Sequence, residues 1–203
     1  DTEEQFRALQ TIQNICRQFE AGGLYPAVFK NQGWGASTSH THWQYGALPY
    51  PPKRVAHEKK SAEAFLKKWN VNVFDAIIIS ERGTGRLIIE DDFAGCIVPF
   101  APRTNYEVWL ILKEQASSLV PASKKALLSL SNMLVKVCHL MYHHLGIDSV
   151  SVACHQLKAE AAYRFHLEIL PYKHWAGAER GFEEYVVEVV PEAAASFFRE
   201  RID

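Results

Sequence analysis

Gly35-Ala36-Ser37-Thr38-Ser39-His40-Thr41-His42-Trp43-Gln44 is the stretch around which the rest of this sequence is best organised. Small and hydroxyl residues give way to an alternation of His40, His42 and Gln44, and in extended backbone side chains two apart share a face. Two imidazoles and an amide therefore project together from a strand beside a loop. Gly33 and Gly35 let backbone N–H groups approach a ligand closely, and Ser37, Thr38 and Ser39 add hydroxyl donors, which is the chemistry of a phosphate cradle. A neutral imidazole nitrogen is a competent nucleophile toward phosphorus, so the expectation is phosphoryl chemistry with His42 as nucleophile. A bond from its other ring nitrogen to a backbone carbonyl would set the tautomer, and Gln44 would donate to a non-bridging phosphate oxygen.

Upstream, Phe6, Leu9, Ile12, Cys16 and Phe19 recur at spacings of three and four, predicting a helix that Thr2 and Gln5 cap and Gly22-Gly23 stop. Tyr25 to Phe29 reads as a strand leading into the loop. Downstream, Pro49, Pro51 and Pro52 close any strand through Thr41 to Leu48, because proline cannot donate to a ladder. A charged helix follows from Val55 to Trp69, with Lys59-Lys60 and Lys67-Lys68 on its solvated side. Ala76 to Ser80, Arg86 to Glu90, Cys96 to Phe100 and Tyr106 to Leu112 read as strands of an antiparallel meander, with Gly83-Thr84-Gly85 as a hairpin turn. Pro121 opens a long amphipathic helix that Gly146 caps. Strands from Ser149 to Cys154, Tyr163 to Leu170 and Glu184 to Val190, and a helix from Pro191, complete an α+β pattern.

The chain has 203 residues, 48% hydrophobic and 22% charged, which suits a globular core and argues against disorder. A net charge of −1 argues against a broad nucleic-acid footprint while leaving room for a small basic pocket. Cys16, Cys96, Cys138 and Cys154 form no C-x-x-C pair, so reduced buried thiols are expected. No apolar run is long enough for a membrane span, and the expected setting is cytoplasmic. His139 and His143 have helical metal-ligand spacing, but without the glutamate of H-E-x-x-H they read as charges near a helix C-terminus.

The motif resembles the active-site signature G-A-S-x-x-H-P-H-x-Q of galactose-1-phosphate uridylyltransferases and their relatives in the histidine-triad superfamily, with Thr41 in place of the proline. The similarity continues through Cys96-Ile97-Val98-Pro99-Phe100, Tyr106-Glu107-Val108-Trp109-Leu110-Ile111-Leu112-Lys113, Tyr163-Arg164-Phe165-His166-Leu167-Glu168-Ile169-Leu170-Pro171 and Pro191-Glu192-Ala193-Ala194. It implies a histidine-triad-like antiparallel sheet with packed helices: residues 1–54 as the end of a first half, 55–75 as a connecting helix and 76–203 as a complete second half. It also implies a nucleotidyltransferase in which His42 takes a nucleotidyl group from a nucleotide-sugar or dinucleotide and passes it to a phosphorylated acceptor, with Gln44 and His40 as the other catalytic residues. Gly35, Ser37, Thr38, Ser39, Arg164 and His166 would bind substrate.

Zinc or another divalent metal is the implied cofactor, and no other. His40 matches a position that binds metal in some relatives, and Glu58, His155 and His166 would converge on a second site. Arg164 stands where the family often has the first histidine of H-x-H, and its charge suits phosphate better than metal. The strands that precede the motif in the family's first half have no counterpart here, which leaves pairing with a missing segment or a second copy, as a homodimer, open. Two alternatives stand beside the transferase: a phosphorylase of nucleotide-sugars or dinucleoside polyphosphates, and a catalytically silent nucleotide-binding protein.

Overall fold

The computed structural model of the chain describes residues 1–38, 40–174 and 176–202. The chain is α+β: one seven-stranded antiparallel sheet, in the order β2-β1-β6-β7-β5-β4-β3, with helices packed on both faces. The strands are β1 (Tyr25–Gln32), β2 (Trp43–Leu48), β3 (Leu87–Glu90), β4 (Ala94–Ile97), β5 (Val108–Leu112), β6 (Val150–His155) and β7 (His166–Pro171). The helices are α1 (Thr2–Ala21), α2 (Lys53–Trp69), α3 (Val73–Thr84), α4 (Lys124–Leu145), α5 (Gly177–Phe182) and α6 (Pro191–Arg199). Among the described residues no helix is long and apolar enough to cross a membrane.

The period-two alternation of the strands sorts the two faces. Val28, Val108, Leu110, Leu112, Val152, Cys154, Leu167 and Ile169 join residues of α1, α4 and α6 in the larger core, while Ile97, Ile111 and Tyr163 pack with Val55 and Ala62 of α2 and Phe74 and Ile78 of α3 on the other side. The β3-β4-β5 meander forms as its short connections predict. The α1 cap is Asp1 rather than Thr2, with Asp1 Oδ1 accepting from Glu4 N at 2.8 Å. The cap of α4 is Ser123, two residues beyond the expected start at Pro121.

Three expectations are corrected. Ala76 to Ser80 lies inside α3 and not in a strand, because Asn72 caps the helix by accepting from Phe74 N, and Phe74 and Ile78, one turn apart, bury the same face. Tertiary burial overrides the β preference of the isoleucine run. Gly83-Thr84-Gly85 is accordingly the end of that helix, closed by Gly85 in the left-handed conformation, and not a hairpin turn. Glu184 to Val190 forms no strand; Asn105 Oδ1 accepts from the backbone of Glu188 and Val189 instead, so the segment is tied down by a side chain rather than by a ladder.

The middle of the sheet has internal symmetry. β1 runs antiparallel to β6, and Phe29 faces Ala153. Phe29 also faces Gln44 on β2, as Ala153 faces Glu168 on β7. The displacement in residue number that takes Phe29 to Ala153 also takes Gln44 to Glu168, His42 to His166 and His40 to Arg164. A half-turn about the Phe29–Ala153 pair therefore exchanges hairpin β1–β2 with hairpin β6–β7 in register, and their connections, 33–42 and 156–165, are equal in length.

Candidate active site

Residues 33–42 join β1 to β2 through a single 3-10 turn at Gly33–Gly35. Gly33 has φ +72°, and a Cβ there would lie 2.3 Å from Ser149 Oγ, so only glycine fits. Trp34 N donates to the same hydroxyl at 3.1 Å, which pins the loop to the start of β6. Gly35 is under no such constraint. Ser37 and Thr38 are exposed, and Ser39 lies outside the described residues.

His42 is half-buried, and its Nδ1 lies 3.0 Å from the carbonyl oxygen of His40 and 3.1 Å from Thr38 Oγ1. A carbonyl only accepts, so Nδ1 carries a proton and, in the neutral ring, the lone pair is on Nε2. His40 is exposed, its ring centroid 5.4 Å from that of His42. Gln44 pairs with Phe29 and is half-buried, whereas Trp43 packs against the larger core.

On the same face as Gln44, a cavity of about 500 Å³ opens over Ser151 and Leu170, which are register partners. Arg103, Lys173, His174 and Arg180 line it. Trp34, 71% exposed, reaches from the loop to Tyr172 and His174, with ring centroids 5.4 and 5.3 Å away. The 33–42 loop and this basic cavity thus share a border.

Next along this face is a polar cluster beneath α2. Glu58, His155, His166 and Glu168 place one donor atom each within 4.8 Å of one another. Three of these residues are those expected from the sequence; His40 is absent from the group, and Glu168 was missed. Glu168 follows His166 by two on one strand and so shares its face, the one signal the sequence carried. His166 is fully buried, with Phe74, Trp109 and Tyr163 ring centroids at 5.1, 5.5 and 5.7 Å. Its Nδ1 donates to the Arg164 carbonyl at 3.1 Å, and its Nε2 is buried without a hydrogen-bond partner among the described residues, 3.9 Å from Glu58 Oε2. Burial, helped by neighbouring His155, holds this imidazole down to about 4.

His155 behaves oppositely. Its Nδ1 lies 2.9 Å from Glu58 Oε2 and its Nε2 3.0 Å from Glu168 Oε2. Burial works against the charged ring, but the two carboxylates outweigh it and raise the pKa to about 9. Burial likewise pushes Glu168 up, and His155 and Arg103 more than reverse this, holding the carboxyl well below its usual range. Arg103 Nη2 donates to Glu168 Oε2 at 2.5 Å and to Glu107 Oε1 at 2.8 Å, so one guanidinium joins the cluster to the basic cavity. Two carboxylates and two imidazoles, one with an orphaned lone pair and its other nitrogen fixed by a carbonyl, suit a divalent cation.

Arg164 is 3% exposed; its Nη2 meets Asp75 Oδ2 at 3.1 Å, and it lines a second cavity at the opposite end of β7 from Tyr172.

No protein-family model matches this chain. It is 30% identical to the galactose-1-phosphate uridylyltransferase of Thermotoga maritima over 87% of its length. The chain is thus similar to galactose-1-phosphate uridylyltransferases along most of its own length. It is also 26% identical, over 87% of its length, to an ADP-glucose phosphorylase of Arabidopsis thaliana. The chain spans 60% and 52% of the length of those two relatives. Its fold matches the crystal structure of an ADP-glucose phosphorylase from Arabidopsis thaliana with bound ADP-glucose, with TM-score 0.87 and 23% identity over 98% of this chain and 66% of the other.

Proposed function

We propose that this chain carries the nucleophilic half of a nucleotidyltransferase site acting on nucleotide-sugars and hexose 1-phosphates. The observation that carries the reading is the bond from His42 Nδ1 to the His40 carbonyl, which selects the tautomer whose free nitrogen is Nε2, beside the hydroxyl-bearing loop. In the first step Nε2 attacks the α-phosphorus, an N–P bond forms, the bridging P–O bond breaks and hexose 1-phosphate departs. The positive charge that develops on the ring is stabilised through Nδ1–H by the His40 carbonyl. Gln44 donates to a non-bridging oxygen. In the second step an oxygen of the acceptor phosphate attacks the same phosphorus, the P–N bond breaks and neutral His42 is restored. Arg103, Lys173 and Arg180 give the neighbouring cavity the charge to hold a phosphorylated sugar.

Glu58, His155, His166 and Glu168 are the residues that would hold zinc or another divalent metal; bound there, the ion would cross-link α2, β6 and β7. Similarity to an ADP-glucose phosphorylase supports a second reading in which inorganic phosphate is the acceptor.

Intact mass after incubation with UDP-glucose or ADP-glucose tests the proposal. A nucleotidyl adduct that is acid-labile, base-stable and lost in His42→Ala is expected. Discharge by hexose 1-phosphate or by phosphate separates the two acceptors, and binding without any adduct would overturn covalent catalysis.

A further inference from the structure

The half-turn about Phe29 and Ala153 brings the phosphate loop beside His42 onto the connection between β6 and β7. A cavity of about 490 Å³ lies against that connection, lined by Lys158, Ala159, Glu160, Ala161 and Arg164 on one side. Its other wall is Glu20 at the end of α1 together with Ser117 and Ser118 of the 113–123 loop. The volume is many times the roughly 30 Å³ share of a water molecule and falls in the range of small-molecule sites.

The walls are fixed. Leu157 N donates to Ser117 O at 2.7 Å, Glu160 N to Ser117 Oγ at 3.0 Å and Phe165 N to Ala116 O at 2.7 Å. Gln13 of α1 donates to the carbonyls of Leu119 and Ala122 at 2.7 and 2.9 Å. Ala159 holds φ +49°, a left-handed conformation costly for a residue with a Cβ.

Two groups lining this cavity have buried atoms without hydrogen-bond partners among the described residues, Arg164 Nε and Glu20 Oε1. Such atoms are costly to leave unpaired. Glu160 is engaged by Lys59 at 2.6 Å, the Arg164 tip by Asp75, and one donor of the Lys158 ammonium by the Glu20 backbone carbonyl at 2.6 Å, so the open functions are the Arg164 Nε donor, the remaining donors of Lys158 and the Glu20 Oε1 acceptor. A ligand that accepts from the cations and donates a hydroxyl to Glu20 satisfies the set. His166, the symmetry counterpart of His42, is sealed beneath α3, so nothing at this end attacks what is bound.

We propose that this cavity is a second, non-reacting binding site for a small sugar phosphate, with Arg164 and Lys158 holding the phosphate and Glu20 a sugar hydroxyl. The ligand class follows from the cavity's own groups, so the proposal does not depend on covalent chemistry at His42.

Titration of the isotope-labelled full chain with glucose 1-phosphate or inorganic phosphate, followed through backbone amide shifts, tests it. The amides of Ala159, Glu160 and Ala161 should shift saturably, with glucose 1-phosphate at least tenfold tighter than phosphate. Lys158→Ala, an exposed change that preserves the fold, should weaken binding about tenfold, Glu20→Gln should erase the preference for the sugar ester, and His42→Ala should change neither. Absence of saturable shifts in the folded protein, equal affinity for the two anions, or persistence of both affinities in Lys158→Ala and Glu20→Gln would each overturn the proposal.

Discussion

His42 and His166 occupy the same station in two hairpins exchanged by a half-turn, yet the first ring is half-open to solvent while the second is walled by Phe74, Trp109 and Tyr163. In both, Nδ1 lies against the carbonyl two residues earlier, that of His40 at 3.0 Å and that of Arg164 at 3.1 Å. The hairpin thus selects, in either setting, the neutral tautomer whose free nitrogen is Nε2. On the proposed reading that lone pair would serve as a nucleophile beside the open loop and as a metal donor beside Glu58 and Glu168.

Because the tautomer of His42 is set by a backbone carbonyl, the two histidines of the motif should respond differently to truncation. His42→Ala is expected to abolish nucleotidyl transfer, a loss of at least about 10⁴-fold as for other covalent nucleophiles, with little change in the unfolding midpoint. His40→Ala keeps the carbonyl and should cost less than about tenfold in kcat, roughly the 1.4 kcal/mol that a factor of ten represents. Single-turnover transfer measured on both variants checks this, and equal losses would show that the His40 ring acts directly.

The loop itself hangs on one glycine. Gly33→Ala places a Cβ 2.3 Å from Ser149 Oγ and 2.7 Å from the Asp148 carbonyl at φ +72°, and should destabilise by about 2 kcal/mol or more. Adding Ser149→Ala removes the hydroxyl clash but not the carbonyl clash or the backbone strain, so recovery should be partial. Gly35→Ala, whose Cβ meets nothing closer than 3.8 Å, should be nearly neutral. Denaturant midpoints of the three variants decide the matter.

Patterning made the hairpin strands, the meander and α4 legible, since each follows a period of two or of three to four. The α3 helix was not, because Ile77-Ile78-Ile79 scores as strand until its neighbours are known. Ile78 fills the space over Gly95 of β4, its side-chain atoms 3.2 to 3.4 Å from where a Cβ would stand, whereas Ile79 is 61% exposed. Ile78→Ala should therefore cost about 2 to 5 kcal/mol and Ile79→Ala close to nothing; comparable losses would contradict the helical face. The site was half legible for a similar reason. Glu58, His155 and His166 stood out as donor types, but Glu168 gains its meaning from Arg103, which the fold brings to it from the loop before β5.

Removing one charge from that network isolates the metal question. Glu168→Ala removes one of the two carboxylates that Arg103 and His155 each engage, leaving them Glu107 and Glu58, and should cost up to about 3 kcal/mol in metal-free protein. With zinc or cobalt(II) at a hundredfold excess over its dissociation constant, wild type should gain about 2.7 kcal/mol, and His166→Ala should gain far less. Metal content and denaturation curves with and without chelator provide the measurement. A gain unchanged by His166→Ala would place the ion elsewhere.

Glu20 offers a pH test away from those ligands. Burial raises its carboxyl pKa, with the Ser118 hydroxyl and Lys158 only partly opposing. A carboxyl whose folded pKa lies above its unfolded value binds its proton more tightly in the native state. Its contribution is therefore fully present below the ordinary carboxylate range and is lost as pH rises through the folded pKa. At neutral pH the ionised Glu20, with Oε1 unpaired, is a net cost. Glu20→Gln should then be more stable than wild type by about 1 kcal/mol at pH 7, the low end for an unsatisfied buried group, and the advantage should vanish as pH falls below the ordinary carboxylate value. A glutamate kept against its own stability fits a binding role, since groups that serve a ligand are often strained without it. Stability curves of the two proteins across this pH range, in the absence of phosphate, test the sign directly, and an advantage that persists at low pH would mean that the charge is not its source.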